Sequence, residues 1–131
     1  VDLHGYPVSV VNTGVPHAVI FVDDLDFDIL EISPQIRFDQ VFPIGANVNF
    51  VKVDSGDKIT IRTYERGVED ETLSCGTGSV ASAYISNLLK KVNNPVSVHT
   101  KGGMLNIELD DSGFLYMEGP AETIYKGVTF K

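Results

Sequence analysis

Between Thr77 and Lys91 the sequence TGSVASAYISNLLKK contains no proline. Val80, Ala81, Ala83, Tyr84, Ile85, Leu88 and Leu89 spread round most of a helical circumference there instead of forming one stripe. A helix with apolar residues on nearly every side must be buried on nearly every side. Small residues near its start allow close approach by surrounding strands, and Lys90 and Lys91 stand at the end where the helix dipole favours cations. Such a segment needs a wall around it, and the rest of the chain reads as the material of that wall.

Strand signals dominate elsewhere. YPVSVVNTG (Tyr6–Gly14) and HAVIFVDD (His17–Asp24) are β-branched runs bounded by Gly, Pro and Asp and joined by a short loop, so they read as neighbouring strands. ANVNFVKVD (Ala46–Asp54) and KITIRTY (Lys58–Tyr64) alternate at period two around Ser55-Gly56, the pattern of a hairpin, with Ile59, Ile61 and Thr63 on one face. Three further strands follow in PVSVHTKGG, MLNIELDDSG and FLYMEG (Pro95–Gly119), separated by Gly102-Gly103 and Asp111-Ser112-Gly113. Between Asp24 and Gln40, Ser33 followed by Pro34 suggests a cap and a first helical position, giving one or two short helical turns. The economical architecture is α+β: a mixed β-sheet wrapped round one central buried α-helix.

Composition excludes several classes of function. A chain of 131 residues is one domain's worth, able to bury roughly two thirds of its unfolded surface. Its 43% hydrophobic and 21% charged residues are those of a globular chain rather than a disordered one. A formal net charge of −8 argues against a phosphate-binding face and so against nucleic acid as partner. No apolar run approaches the roughly 20 residues a membrane span needs, and no apolar leader precedes Val1, so the chain reads as soluble and cytoplasmic. Opening on Val1 rather than Met suggests a processed chain or a fragment. A single cysteine makes no internal disulfide, and with the scattered His4, His17 and His99 it makes no metal-ligand spacing.

That lone cysteine, Cys75, stands just before the start of the buried helix, in TYERGVEDETLSCGTGSVASA (Thr63–Ala83). At a helix amino end the amides of Gly76, Thr77 and Gly78 lack intrahelical acceptors and the dipole adds partial positive charge. A free thiol with a pKa near ~8.5 is lowered in such a place and becomes a usable acid or base near neutrality. The same amides can hold a carboxylate, and the glycines let the backbone approach it. A lone cysteine is otherwise a small buried hydrophobe, but the Gly-Thr-Gly context favours the chemical role.

YERGVEDETLSCGTGSVASA, with NTGVPHAVIFV and GANVNF upstream in the expected order, resembles the carboxy-terminal domain of diaminopimelate epimerase, over nearly the whole chain. The resemblance implies one half of a pseudo-symmetric pair, each half a sheet round a central helix, with an amino acid substrate, diaminopimelate, held between them. Each half donates one cysteine. One thiolate removes the α-proton and the thiol on the opposite face returns one, so that LL- and meso-diaminopimelate interconvert on the route to lysine and cell wall, with no cofactor and no metal.

By the same resemblance Cys75 is the second catalytic cysteine, and Gly76 and Thr77 give backbone contacts to the substrate α-carboxylate. Glu65 and Arg66 match the pair that binds substrate, Glu65 also supporting thiol proton transfer. Asn47 matches an asparagine that fixes the distal end of the substrate, although Asn49 has the same side-chain chemistry and either could cap a turn. His17 matches a histidine beside the thiols; His4 and His99 receive no role. Two departures stand out. Val15 replaces an asparagine common two residues before His17, and Glu69-Asp70 stands where a single glycine is common, lengthening the acidic loop by one residue.

The division expected is a catalytic half over residues 1–122 and a tail over 123–131 that would join the absent amino-terminal domain. Without that domain the half is expected to be inactive. The tail is expected either to be mobile or to pair with a second copy, making a homodimer. The runner-up is a proline racemase type of enzyme, which shares the fold and a Cys-Gly-Thr-Gly turn. A ring substrate, however, lacks the distal charged end that Arg66 would bind. From another class, a non-catalytic carboxylate-binding module would keep the pocket but leave the thiol unperturbed.

Overall fold

Period-two alternation builds one large mixed sheet, and the sheet carries a helix on each face. The structure, a computed structural model, describes residues 2–3, 5–12, 16–72, 76–93, 95–109, 114–118 and 123–129. In chain order the elements are β1 (Asp2–Leu3), β2 (Tyr6–Pro7), β3 (Ser9–Asn12), β4 (Pro16–Phe21), α1 (Ile29–Arg37), β5 (Asn47–Ser55) and β6 (Lys58–Glu65). They continue with β7 (Asp70–Thr72), α2 (Gly76–Leu88), β8 (Val96–Thr100), β9 (Gly103–Leu109), β10 (Phe114–Glu118) and β11 (Thr123–Thr129). β1 and β2 form a small ladder of their own, and the remaining strands join one sheet in the order β11-β10-β9-β8-β6-β5-β4-β3. The β4–β5 and β6–β8 pairs are parallel and the others antiparallel, so the sheet is mixed.

One edge of β6 is shared by two partners. Lys58–Thr60 pair with β8, whereas Thr63–Glu65 pair with β7, so the sheet divides at the far end of β6. The chain leaving β7 starts α2 at Gly76, four residues after Thr72, which keeps the helix start within about 14 Å of that divided end.

The alternation sorts side chains onto the two faces. On one, Val19, Val51, Ile59 and Ile61 pack with Val80, Ala81 and Ile85 of α2. On the other, Ala18, Ile20, Val48 and Phe50 pack with Ile29 and Ile36 of α1. Phe50 is fully buried and meets Phe27 edge to face, with ring centroids 5.0 Å apart. Burying each such side chain stabilises the fold by about 1.5–3 kcal/mol. α2 touches β3, β4, β5, β6, β8 and β9, which is the helix-in-a-sheet arrangement the sequence predicts.

Four expectations need correction. The first helix is capped by Asp28, whose Oδ1 accepts from the Leu30 N–H at 3.0 Å, and not by Ser33; Pro34 lies inside it. The helix extends across Pro34 because Ile29 and Ile36, two turns apart, both bury against the sheet. α2 ends at Leu88, before the lysines, and Leu88 and Leu89 are exposed. Lys90 turns left-handed (φ 60°), its N–H donates to Asn87 O and the Lys91 N–H reaches back to Ser86 O, both at 2.9 Å; this Schellman closure stops the helix. The first strand run is split in two, since Tyr6–Pro7 pair with β1 whereas Ser9–Asn12 pair with β4. Finally, the tail segment is not left without a partner. β11 pairs antiparallel with β10 from Phe114↔Thr129 to Glu118↔Thr123, with irregularities in the register, and so satisfies within the chain an edge that would otherwise be open.

Candidate active site

The end of the sheet where β6 divides is also where polar side chains replace apolar ones on the α2 face. On β4, His17 has the parity of Val19; on β5, Asn47 and Asn49 have that of Val51; on β6, Thr63 and Glu65 have that of Ile59 and Ile61. The register brings them together, with His17 opposite Asn47, Asn49 opposite Thr63, and Thr63 opposite Thr72 of β7. A cluster of polar groups on the buried face of a sheet costs stability unless it is hydrogen-bonded or used.

Part of it is bonded internally. Asn49 is fully buried; its Nδ2 lies 3.1 Å from His17 Nδ1 and 3.2 Å from the Ala18 carbonyl oxygen, and its Oδ1 accepts from the Thr63 hydroxyl at 3.0 Å. Asn47, 5% exposed, accepts the Arg66 N–H on its Oδ1 at 2.7 Å, which leaves its Nδ2 group as the donor it can offer a ligand. The two asparagines, equivalent by sequence, thus separate: Asn47 holds the Arg66 backbone and Asn49 holds His17.

Among the described residues, His17 Nε2 and Thr72 Oγ1 in this cluster have no hydrogen-bond partner, nor do the buried hydroxyls of Ser79 and Ser82 on α2. Burial without a compensating charge lowers the pKa of His17 to about 4, so the ring is neutral at pH 7.

The loop after β6 is pinned from outside. Arg66 Nη1 donates to the Ile44 carbonyl at 2.8 Å. Glu69 sits at positive φ (57°). It accepts from Arg37 Nε at 3.0 Å and Nη2 at 2.8 Å, from the Gly67 N–H at 2.9 Å and from the Tyr64 hydroxyl at 3.2 Å. The Arg37 guanidinium, followed by the Gly67 N–H, holds the Glu69 carboxyl below the usual carboxylate range. Gly45 (φ 82°) completes the clamp, since a Cβ there would fall on the Arg37 guanidinium and 3.2 Å from Arg66 Cδ. The extra acidic residue read from the sequence as mere lengthening is therefore a tie between the loop and α1. The glutamate's place within a hydrogen-bonding turn gave no sequence signal, because Arg37 is remote in the chain.

Of the residues singled out by sequence, His17, Asn47, Glu65 and Arg66 come to one end of the sheet, and Gly76 begins α2. Glu65 ends β6 half-buried, and its carbonyl accepts the Glu69 N–H at 2.8 Å. Thr77 lies in the first turn of α2. Cys75 and Val15 lie outside the described residues. Sequence reasoning passed over Thr63 as a site residue, although a threonine on a face shared with two isoleucines was the signal that something polar awaited it. Among the described residues no group of three or more His, Cys, Asp or Glu could hold a metal ion, and no helix is long and apolar enough to cross a membrane.

Comparison with known proteins sets this site in context. Residues 9–124 match the family model described as diaminopimelate epimerase. The chain is 58% identical over 127 residues to a diaminopimelate epimerase of Methanocella arvoryzae, covering 95% of this chain and 45% of that relative. It is 55% identical over 127 residues to one of Archaeoglobus fulgidus, covering 97% and 45% respectively. The chain thus spans a little under half the length of the curated relatives it matches. A solved phenazine biosynthesis protein of the PhzF family from Enterococcus faecalis superposes on 86% of this chain and 43% of its own with a TM-score of 0.66 at 17% identity, a likeness of fold alone.

Proposed function

The chain belongs to the diaminopimelate epimerase family, and from that premise we propose that it is one half of a cofactor-independent epimerase interconverting LL- and meso-diaminopimelate in the cytoplasm. The observation that carries this reading is the gathering of His17, Asn47 and the Arg66 loop at the divided end of the sheet.

Each residue then has a task. The amides of Gly76 and Thr77 at the helix amino end hold the α-carboxylate, where the dipole favours negative charge. Asn47 and Arg66 fix the distal amino acid end, and the Asn47–Arg66 hydrogen bond couples those two contacts. Cys75 exchanges a proton with one face of the α-carbon, supported by Glu65. The other face belongs to a thiol from a second domain, because inversion needs an acid and a base on opposite sides. Residues 1–122 are the catalytic half in this scheme and 123–131 the tail that joins the other half. β11 ends the strand order, so its outer edge is unpaired among the described residues and suits such a junction.

The test is an assay of the parent-length protein with each diaminopimelate stereoisomer. Interconversion of the LL and meso forms, abolished by Cys75→Ser, is the expected result, and the 131-residue chain alone should be inactive. Activity that survives Cys75→Ser, or epimerisation by the isolated chain, would overturn the two-thiol scheme.

A further inference from the structure

We propose that Asn49 and Thr63 are positioning residues that lock His17 in the tautomer carrying its hydrogen on Nε2, so that the ring offers the site a donor and not a base. The Ala18 carbonyl oxygen can only accept, and it lies 3.2 Å from one end of the Asn49 amide. That end is therefore the NH2 group. The same NH2 lies 3.1 Å from His17 Nδ1, so Nδ1 must accept, and the hydrogen of a neutral imidazole must sit on Nε2.

Thr63 holds the amide in this sense by donating its hydroxyl to Asn49 Oδ1 at 3.0 Å. A flipped amide would set Oδ1 against the Ala18 oxygen. Ala18, His17 and Asn49 are fully buried and Thr63 is 3% exposed, so no water repairs that clash. Protonating Nδ1 would in turn set N–H against N–H. The lowered basicity of the ring agrees with this, although the geometry alone dictates the tautomer.

The consequence falls on Nε2, a buried donor with no partner among the described residues. An unmade hydrogen bond at such a donor costs stability, which an arriving acceptor recovers. The acceptor that fits is an anionic group entering the polar end of the sheet. This last step, the use of the Nε2–H in the reaction, rests on the epimerase reading; the tautomer does not.

The experiment is long-range proton–nitrogen correlation NMR at pH 7 on the parent-length protein with ring-labelled histidine, the His17 signals being assigned by their loss in His17→Gln. The expected pattern is a protonated Nε2 and an unprotonated Nδ1. Asn49→Asp sets a carboxylate against Nδ1 and should move the hydrogen there. Thr63→Val removes one of the two holds on the amide and should bring an admixture of the Nδ1–H pattern, which Thr63→Ser should abolish. An Nδ1–H ring in the unaltered protein overturns the proposal, and so does a pattern that Thr63→Val leaves unchanged. If Asn49→Asp fails to fold, the unaltered protein and the Thr63 pair still decide. No substrate enters the measurement, so an inactive enzyme with an Nε2–H ring would sink the epimerase reading and leave this one standing.

Discussion

Replacing Glu69 separates two opposed effects at one residue. Its carboxylate accepts from the Arg37 guanidinium, from the Gly67 N–H and from the Tyr64 hydroxyl, which stabilises the loop; its φ of 57° is a conformation a residue with a Cβ adopts at a cost. The Glu69 side chain is 36% exposed and that of Arg37 13%, so solvent screening limits the ion pair to about 1 kcal/mol. The hydrogen bond from the Gly67 amide adds about 1 kcal/mol. Glu69→Ala forfeits both and keeps the strained backbone, a loss of about 2 kcal/mol. Glu69→Gly forfeits the same bonds but relieves about 1 kcal/mol of left-handed strain, a net loss of about 1 kcal/mol. Urea denaturation at pH 7, with the two variants compared at a common m-value, reads the difference as a shift in midpoint.

The pH dependence follows from the lowered Glu69 carboxyl pKa, caused first by Arg37 and then by Gly67. A depressed carboxyl contributes stability that is fully present above its unfolded pKa and is lost as pH falls through its folded pKa. The gap between the unaltered chain and Glu69→Ala should therefore be full at pH 7 and narrow below about pH 4. If glycine proves no better than alanine, or if the gap persists unchanged in acid, the assignment of strain and charge to this residue is wrong.

Lys90→Gly should stabilise the chain by about 0.5–1 kcal/mol, because the left-handed residue of the Schellman closure (φ 60°) is then free of Cβ strain; a lower melting temperature would contradict this. Arg62→Met should cost about 3 kcal/mol in denaturant titration, since Arg62 donates to the Leu25 and Phe27 carbonyls at 2.7 and 2.8 Å and to both Glu71 oxygens, and removing it leaves a carboxylate whose side chain is 12% exposed to Lys101 alone. A loss below about 1 kcal/mol would show that water replaces those bonds.

The sheet and its buried helix were legible because they rest on periodicity, which is local. Ile59, Ile61 and Thr63 share a face as their alternation demands, and all three are buried. The ends of elements were less so. Ser33-Pro34 looks like a helix start, but tertiary burial of Ile29 and Ile36 drew the helix across the proline. Leu88 and Leu89 look like core, but they fall at the closing end of α2, just before Lys90 turns left-handed, and stay exposed. Asn47 and Asn49 were indistinguishable along the chain because what separates them, Arg66 for one and His17 for the other, arrives from different strands. The Arg37–Glu69 tie spans a similar gap and was invisible for the same reason.

The divided edge of β6 has a thermodynamic meaning as well as a geometric one. Its first part is zipped to β8 and its last part only to the three residues of β7, while its other edge stays paired with β5 along most of its length. β7 can therefore open and close as a small cooperative unit without unzipping the main ladder, so its amides exchange with solvent at a free energy below that of global unfolding. The divided end of the sheet thus has its own melting equilibrium, separate from that of the scaffold behind it.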